Sequence, residues 1–91
     1  MAEPIEHWVL TRQAEEEIAG RSLDLATVAA VLAGPEQRLS VRPGREVLQS
    51  RFAQEGKTYL IRVFVDVDRE PPAVVTAYRT SKVGKYWSAL P

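Results

Sequence analysis

The hydrophobic period of this chain changes once, at Gly34-Pro35, from that of helices to that of strands. Before that point apolar residues recur every three to four positions; after it they alternate. Thr11 is placed to cap a helix through "RQAEEEIAG", with Ala14 and Ile18 inward and Glu15, Glu16 and Glu17 mostly toward solvent. Gly20 ends it. Asp24 is a second cap, for "DLATVAAVLAG", where Val28, Val31 and Leu32 stand at helical spacing and Gly34-Pro35 stops the helix.

The alternating part divides into about four strands. "QRLSVR" puts Leu39 and Val41 on one side, and Pro43-Gly44 turns the chain. "REVLQSRF" sets Leu48, Ser50 and Phe52 against Val47, Gln49 and Arg51. Glu55-Gly56 turns into "KTYLIRVFVDV", where Tyr59, Ile61, Val63 and Val65 alternate with Leu60, Arg62, Phe64 and Asp66. After the turn "DREPP" comes "AVVTAYR". Helices first and strands in hairpin succession afterwards predict an α+β domain over residues 1–91. Its two helices would lie on one face of a roughly four-stranded antiparallel sheet.

The last stretch, "TSKVGKYWSAL", predicts a short terminal helix capped by Thr80 or Ser81. Val83, Trp87 and Leu90 would share one side of it, and Lys82, Lys85 and Tyr86 another. Two cations and a phenol would then be presented together just past the last strand. Arg62 is the other conspicuous residue, a fixed cation between Ile61 and Val63 in the most apolar strand.

Composition narrows the chemistry. There is no cysteine and a single histidine, His7, which argues against a disulfide framework or a structural zinc site. No cofactor is implied. Neither a secretory signal nor a run long enough to span a membrane is legible, so a cytoplasmic location is the expectation. Formal net charge is zero but segregated: residues 1–24 hold six acids and two bases, residues 38–62 six bases and two acids. Zero net charge disfavours indiscriminate nucleic-acid binding, whereas a basic segment permits a local phosphate site.

Four stretches together resemble a family of small bacterial proteins catalogued as a domain of unknown function. They are "VLAGPEQ", "RPGREVLQSRF", "YLIRVFVDVDREPPAVVTAYRTSKVGKYW" and, more loosely, "LTRQAEEEIAGRSL". That family is grouped with the RelE/ParE-like and BrnT-like toxins of type II toxin–antitoxin systems. The resemblance covers nearly the whole chain, and the long third stretch is the specific one. It implies a ribonuclease-like toxin fold, a metal-free site, an RNA substrate and a cognate antitoxin protein. In one place the chain departs from the family: Gln13 stands where a His usually begins the first helix, while Ala14, Ile18 and Arg21 fit. Glutamine hydrogen-bonds but does not exchange a proton near neutral pH.

Metal-free RNA cleavage needs a base for the 2′-hydroxyl, cations for the phosphorane and an acid for the 5′-oxygen. Arg62 and Arg79 suit the phosphorane, because guanidinium grips phosphate oxygens in pairs and stays ionised. Lys82 and Tyr86 are candidates for proton transfer, with Gln13 at the position of the family's His. Arg45, Arg51, Tyr78, Arg79 and Lys85 would hold the RNA. Plainer roles compete. Arg62 is suited to pairing with an acid of the first helix such as Glu17, Lys82 and Lys85 to a solvated helix face, and Tyr78 and Tyr86 to the core rim. Two other functions also stay open. One is a catalytically silent binding module for protein or nucleic acid; the other is a toxin that inhibits a target enzyme without cleaving RNA.

Overall fold

The computed structural model describes residues 2–89. Its elements run β1 (Val9–Leu10), α1 (Arg12–Gly20), α2 (Leu25–Ala33), β2 (Gln37–Arg42), β3 (Arg45–Gln54), β4 (Lys57–Asp66), β5 (Ala73–Thr80) and α3 (Val83–Tyr86). The α+β class holds, and both N-terminal caps form as the sequence directs. Thr11 Oγ1 accepts from Ala14 N–H at 3.1 Å, and an Asp24 carboxylate oxygen accepts from Ala26 N–H at 3.0 Å. Each satisfies a donor that the first helical turn leaves without a partner.

The sheet corrects the expected four antiparallel strands. It has five, in the order β1-β5-β4-β3-β2, and β1 runs parallel to β5 through Val9↔Ala73 and Leu10↔Val74. Two residues are too few to carry a period, which is why β1 is silent in the sequence. The hairpins follow their turn residues. Gly44 has φ +84°, and Glu55 and Gly56 have φ +52° and +78°, the pair of left-handed residues that a two-residue hairpin loop requires.

One face of the sheet carries the core. Ile18 of α1 and Val28, Val31 and Leu32 of α2 pack on Leu48, Ile61, Val63, Val65, Val74 and Ala77, all buried. Full burial of each large apolar side chain contributes roughly 1.5–3 kcal/mol. In β5, Val65 pairs with Val74 but Phe64 pairs with Thr76, so Val75 is a surplus bulged residue. Because β1 is so short, no strand among the described residues lies beside the outer edge of β5 beyond Val74. α1 closes part of that edge: Arg21 Nη1 donates to the Ala77 carbonyl at 2.9 Å, and the Thr76 hydroxyl donates to Glu17.

The terminal helix is shorter than expected and capped differently. α3 has four residues, its N-cap is Lys82 without a side-chain cap, and Thr80 Oγ1 accepts from Lys82 N–H instead. Gly84 weakens it from within. Leu90, expected on its apolar side, lies outside the described residues. No helix among the described residues is long and apolar enough to cross a membrane.

Candidate functional site

Strand pairing determines what the second face of the sheet displays. Gln37 pairs with Gln49, Gln49 with Arg62, and Arg62 with Tyr78, so one row across four strands points away from the helices. Directly opposed residues in a sheet share a face and interact. Arg62 Nε donates to Gln49 Oε1 at 2.9 Å, and its Nη1 donates to the Tyr78 hydroxyl at 2.7 Å. The competing role for Arg62, an ion pair with Glu17, does not occur. That carboxylate binds Thr76, Gln13 and Arg21, and their hydrogen bonds hold its pKa below the ordinary value, Thr76 contributing most.

The C-terminal segment lies across this face and is held by its backbone. Gln49 Nε2 donates to the Tyr86 carbonyl at 3.1 Å and to Gln37 Oε1 at 2.7 Å. Gln37 Nε2 donates to the Ser88 carbonyl at 2.6 Å, and Ser88 N–H donates back to Gln37 Oε1 at 3.1 Å. So Gln49, although wholly buried, has its amide satisfied and ties Arg62 to the chain that bears Tyr86. Neither glutamine stands out in the sequence as a site residue. The available signal was alternation, which puts Gln49 on the opposite side of its strand from Leu48 and Ser50.

Three aromatic rings surround the Arg62 guanidinium: Tyr86 at 4.4 Å, Phe64 at 5.1 Å and Tyr78 at 5.8 Å from ring centroid to Cζ. All are within cation–π range. Phe64 stacks on Tyr78, and Tyr86 meets Tyr78 edge-on. Among the described residues no carboxylate forms an ion pair with Arg62, whereas Arg12, Arg21, Arg38, Arg45 and Arg51 each have one. A half-buried cation with only neutral partners leaves positive potential facing solvent. Lys85 adds to it, its Nζ 5.3 Å from the Tyr86 ring centroid. Lys85, foremost by hydrogen bonding, together with the Tyr78 hydroxyl and the Arg62 charge, lowers the Tyr86 pKa from the ordinary phenol value.

The structure gathers some of the expected residues and disperses others. Arg62, Tyr78, Lys85 and Tyr86 meet. Arg51 joins the rim, 4.1 Å over the Trp87 ring, but its charge is matched by Glu36 at 2.9 Å. Arg45 lies at the far end of the same face and is matched by Asp66 at 2.7 Å. Lys82 is exposed at the start of α3. Gln13 is exposed on α1, where it donates to Glu17 Oε2 at 2.9 Å, with no bond to the Arg62 cluster. Arg79 pairs in register with Ile61 and therefore projects from the helix-covered face, away from Arg62. Arg79 and Arg62, both suited by residue type to the phosphorane, therefore stand on opposite faces, because neighbours along a strand point to opposite sides.

Among the described residues no three His, Cys, Asp or Glu side chains converge as a metal-binding set. No family model, curated protein or solved structure matches this chain.

Proposed function

We propose that the protein is an endoribonuclease of the type II toxin kind, cleaving RNA at the Arg62 face by attack of the 2′-hydroxyl. The observation that carries the reading is the unmatched Arg62 charge, half-buried among aromatic rings with a phenol of lowered pKa beside it. Arg62 would hold the non-bridging phosphate oxygens and take up charge as the phosphorane forms. Tyr86, as phenolate, would accept the 2′-hydroxyl proton while the new O2′–P bond forms. The P–O5′ bond then breaks, and the Lys85 ammonium supplies the proton to the departing 5′-oxygen, with Lys82 one turn away as a second donor. The products are a 2′,3′-cyclic phosphate and a 5′-hydroxyl. Tyr78 and Phe64 offer ring faces for bases, and every part named is a side chain of this protein. A cognate antitoxin with an acidic segment fits the same face, since burying Arg62 and Lys85 calls for opposite charge.

Gln13 favours a second reading, a binding module that retains the RNA or protein contacts without catalysis. It neither gains nor loses a proton near neutral pH, and its amide is engaged by Glu17.

Induced expression separates the two. The enzyme predicts growth arrest with fragmented RNA bearing 2′,3′-cyclic phosphate ends, both relieved by Arg62→Ala and by Tyr86→Phe. Intact RNA and normal growth from the native sequence, with arrest restored by Gln13→His, would establish a disarmed toxin. Intact RNA with both chains would sink the ribonuclease reading.

A further inference from the structure

The opposite face of the sheet has its own groove of about 300 Å³, between the α1–α2 turn and the β3–β4 hairpin. Its lining includes Ser22, Asp24, Phe52, Gln54, Tyr59 and Arg79. Arg79 stands 4.6 Å over the Tyr59 ring and donates to Gln54 Oε1 at 2.9 Å. Phe52 pairs with Tyr59 across the hairpin, so two rings and a guanidinium plane lie together. Arg79 and Asp24 line the same groove, yet no ion pair joins them. One Asp24 carboxylate oxygen accepts a single hydrogen bond from the α2 cap, which leaves the second oxygen and the remaining lone pair of the first to a ligand.

A groove with stacking surfaces, a cation at one side and an acceptor-only carboxylate at the other fits a base carrying a phosphate. Its volume lies at the small end of ligand sites, the scale of one nucleotide. Guanine is the base that presents two adjacent N–H donors on one edge, the pattern a carboxylate accepts bidentately. A second groove at the β5 edge is lined by Arg21, Ser22, Leu23, Tyr78 and Arg79, so it shares Arg79 with this groove and Tyr78 with the Arg62 cluster.

We infer that the Arg79 groove binds a guanine nucleotide of single-stranded RNA. Its base stacks on Tyr59, its N1–H and exocyclic amine donate to Asp24, and its phosphate meets Arg79. The strand continues round the β5 edge to Arg62. A duplex holds its bases paired inside and offers none to such a groove, so the substrate class is single-stranded. As a description of substrate, this rests on the RNA reading above; the binding itself does not.

Mononucleotides test it without any cleavage. Backbone amide shifts would be followed by NMR during titration with guanosine 5′-monophosphate and, separately, adenosine 5′-monophosphate. The expectation is shifts confined to residues 22–27, 52–59 and 79, with the guanine nucleotide bound at least about tenfold more tightly. Tyr59→Ala should weaken both by about tenfold, the scale of one lost base stack, while Tyr59→Phe should not. Asp24→Asn, which retains a helix cap, should erase the preference for guanine. Equal affinity for the two nucleotides, or no shifts at these residues, would overturn the inference, as would occupancy of the groove by an acidic peptide alone. RNA cleavage lost with nucleotide binding intact would remove the ribonuclease reading and leave the groove; the converse would do the reverse.

Discussion

Gln49 accepts from Arg62 at 2.9 Å with the same buried amide that donates to the Tyr86 carbonyl. The cation and the segment bearing the phenol therefore share one support. Gln49→Leu keeps the volume and removes all three of its side-chain bonds, leaving Arg62 Nε and the Tyr86 carbonyl to find other partners and Gln37 Oε1 with Ser88 N–H alone. An unsatisfied buried polar group costs roughly 1–3 kcal/mol, so the urea midpoint should fall measurably. RNA cleavage should fall as well, even though Gln49 need not touch substrate. Unchanged stability would show that the C-terminal segment is held elsewhere.

Arg62→Lys preserves charge and loses the fork that reaches Gln49 and Tyr78 together. Arg62→Ala removes the charge as well. If Arg62 stabilises the phosphorane, the alanine variant should lose roughly 10²–10³ in kcat, the scale of one removed transition-state donor. The lysine variant should fall between. Single-turnover cleavage of a short RNA measures both, and equal rates for all three proteins would exclude the role.

The pH profile tests Tyr86. Its pKa is lowered, chiefly by Lys85, so the phenolate forms at lower pH than in a free tyrosine. Cleavage that uses the phenolate as base rises with pH through that lowered pKa. Lys85→Met withdraws the main cause, and the rising limb should move toward the ordinary phenol value near ~10. Tyr86→Phe should abolish the limb. A profile indifferent to both substitutions would assign the proton to another group.

Acid should destabilise the fold through three carboxylates. Asp66, Glu36 and Glu17 all have pKa values lowered in the folded state, chiefly by hydrogen bonds from Arg45, Arg51 and Thr76 respectively. A lowered folded pKa means that the stabilisation is complete above the unfolded values near ~4. It is lost as pH falls through the folded values. Asp66→Asn should flatten the dependence of the urea midpoint below about pH 5. An unaltered slope would show that the Arg45 pair contributes nothing to it.

Two glycines should respond oppositely to alanine. At Gly44, with φ +84°, a Cβ would stand 2.5 Å from Asp68 Oδ2 and 2.9 Å from its Cγ. Backbone strain and the clash together should cost about 1–3 kcal/mol, lowering Tm by several degrees. At Gly84, inside α3, a Cβ meets nothing within 4 Å. Alanine there should stabilise by roughly 0.4–1 kcal/mol. Calorimetry of the two variants decides both.

The helices, their caps and the four successive strands β2–β5 were legible because each rests on local chemistry: Thr11, Asp24, Gly44 and Gly56 act within a few residues of themselves. Arg62 was legible as an anomaly, a charge in an apolar strand, but its partners were not. Gln49 and Tyr78 are 13 and 16 residues away in sequence, and only strand register brings them to it. Arg79 was misplaced for the same reason, since its neighbour Tyr78 takes the Arg62 side. β1 escaped notice because it is a strand only by virtue of lying beside β5.

The surplus Val75 gives β5 eight residues, Ala73–Thr80, against the seven of β4 that they face, Leu60–Asp66. Had regular pairing continued from Val65↔Val74, Tyr78 would stand opposite Ile61 beneath the helices and Arg79 opposite Leu60. The two chemistries at the end of the strand would have exchanged sides. Gaining or losing one residue between Val74 and Thr76 is therefore not a small adjustment of reach. It turns the strand's end inside out, and any chain sharing this fold keeps the same working surface only by keeping that count.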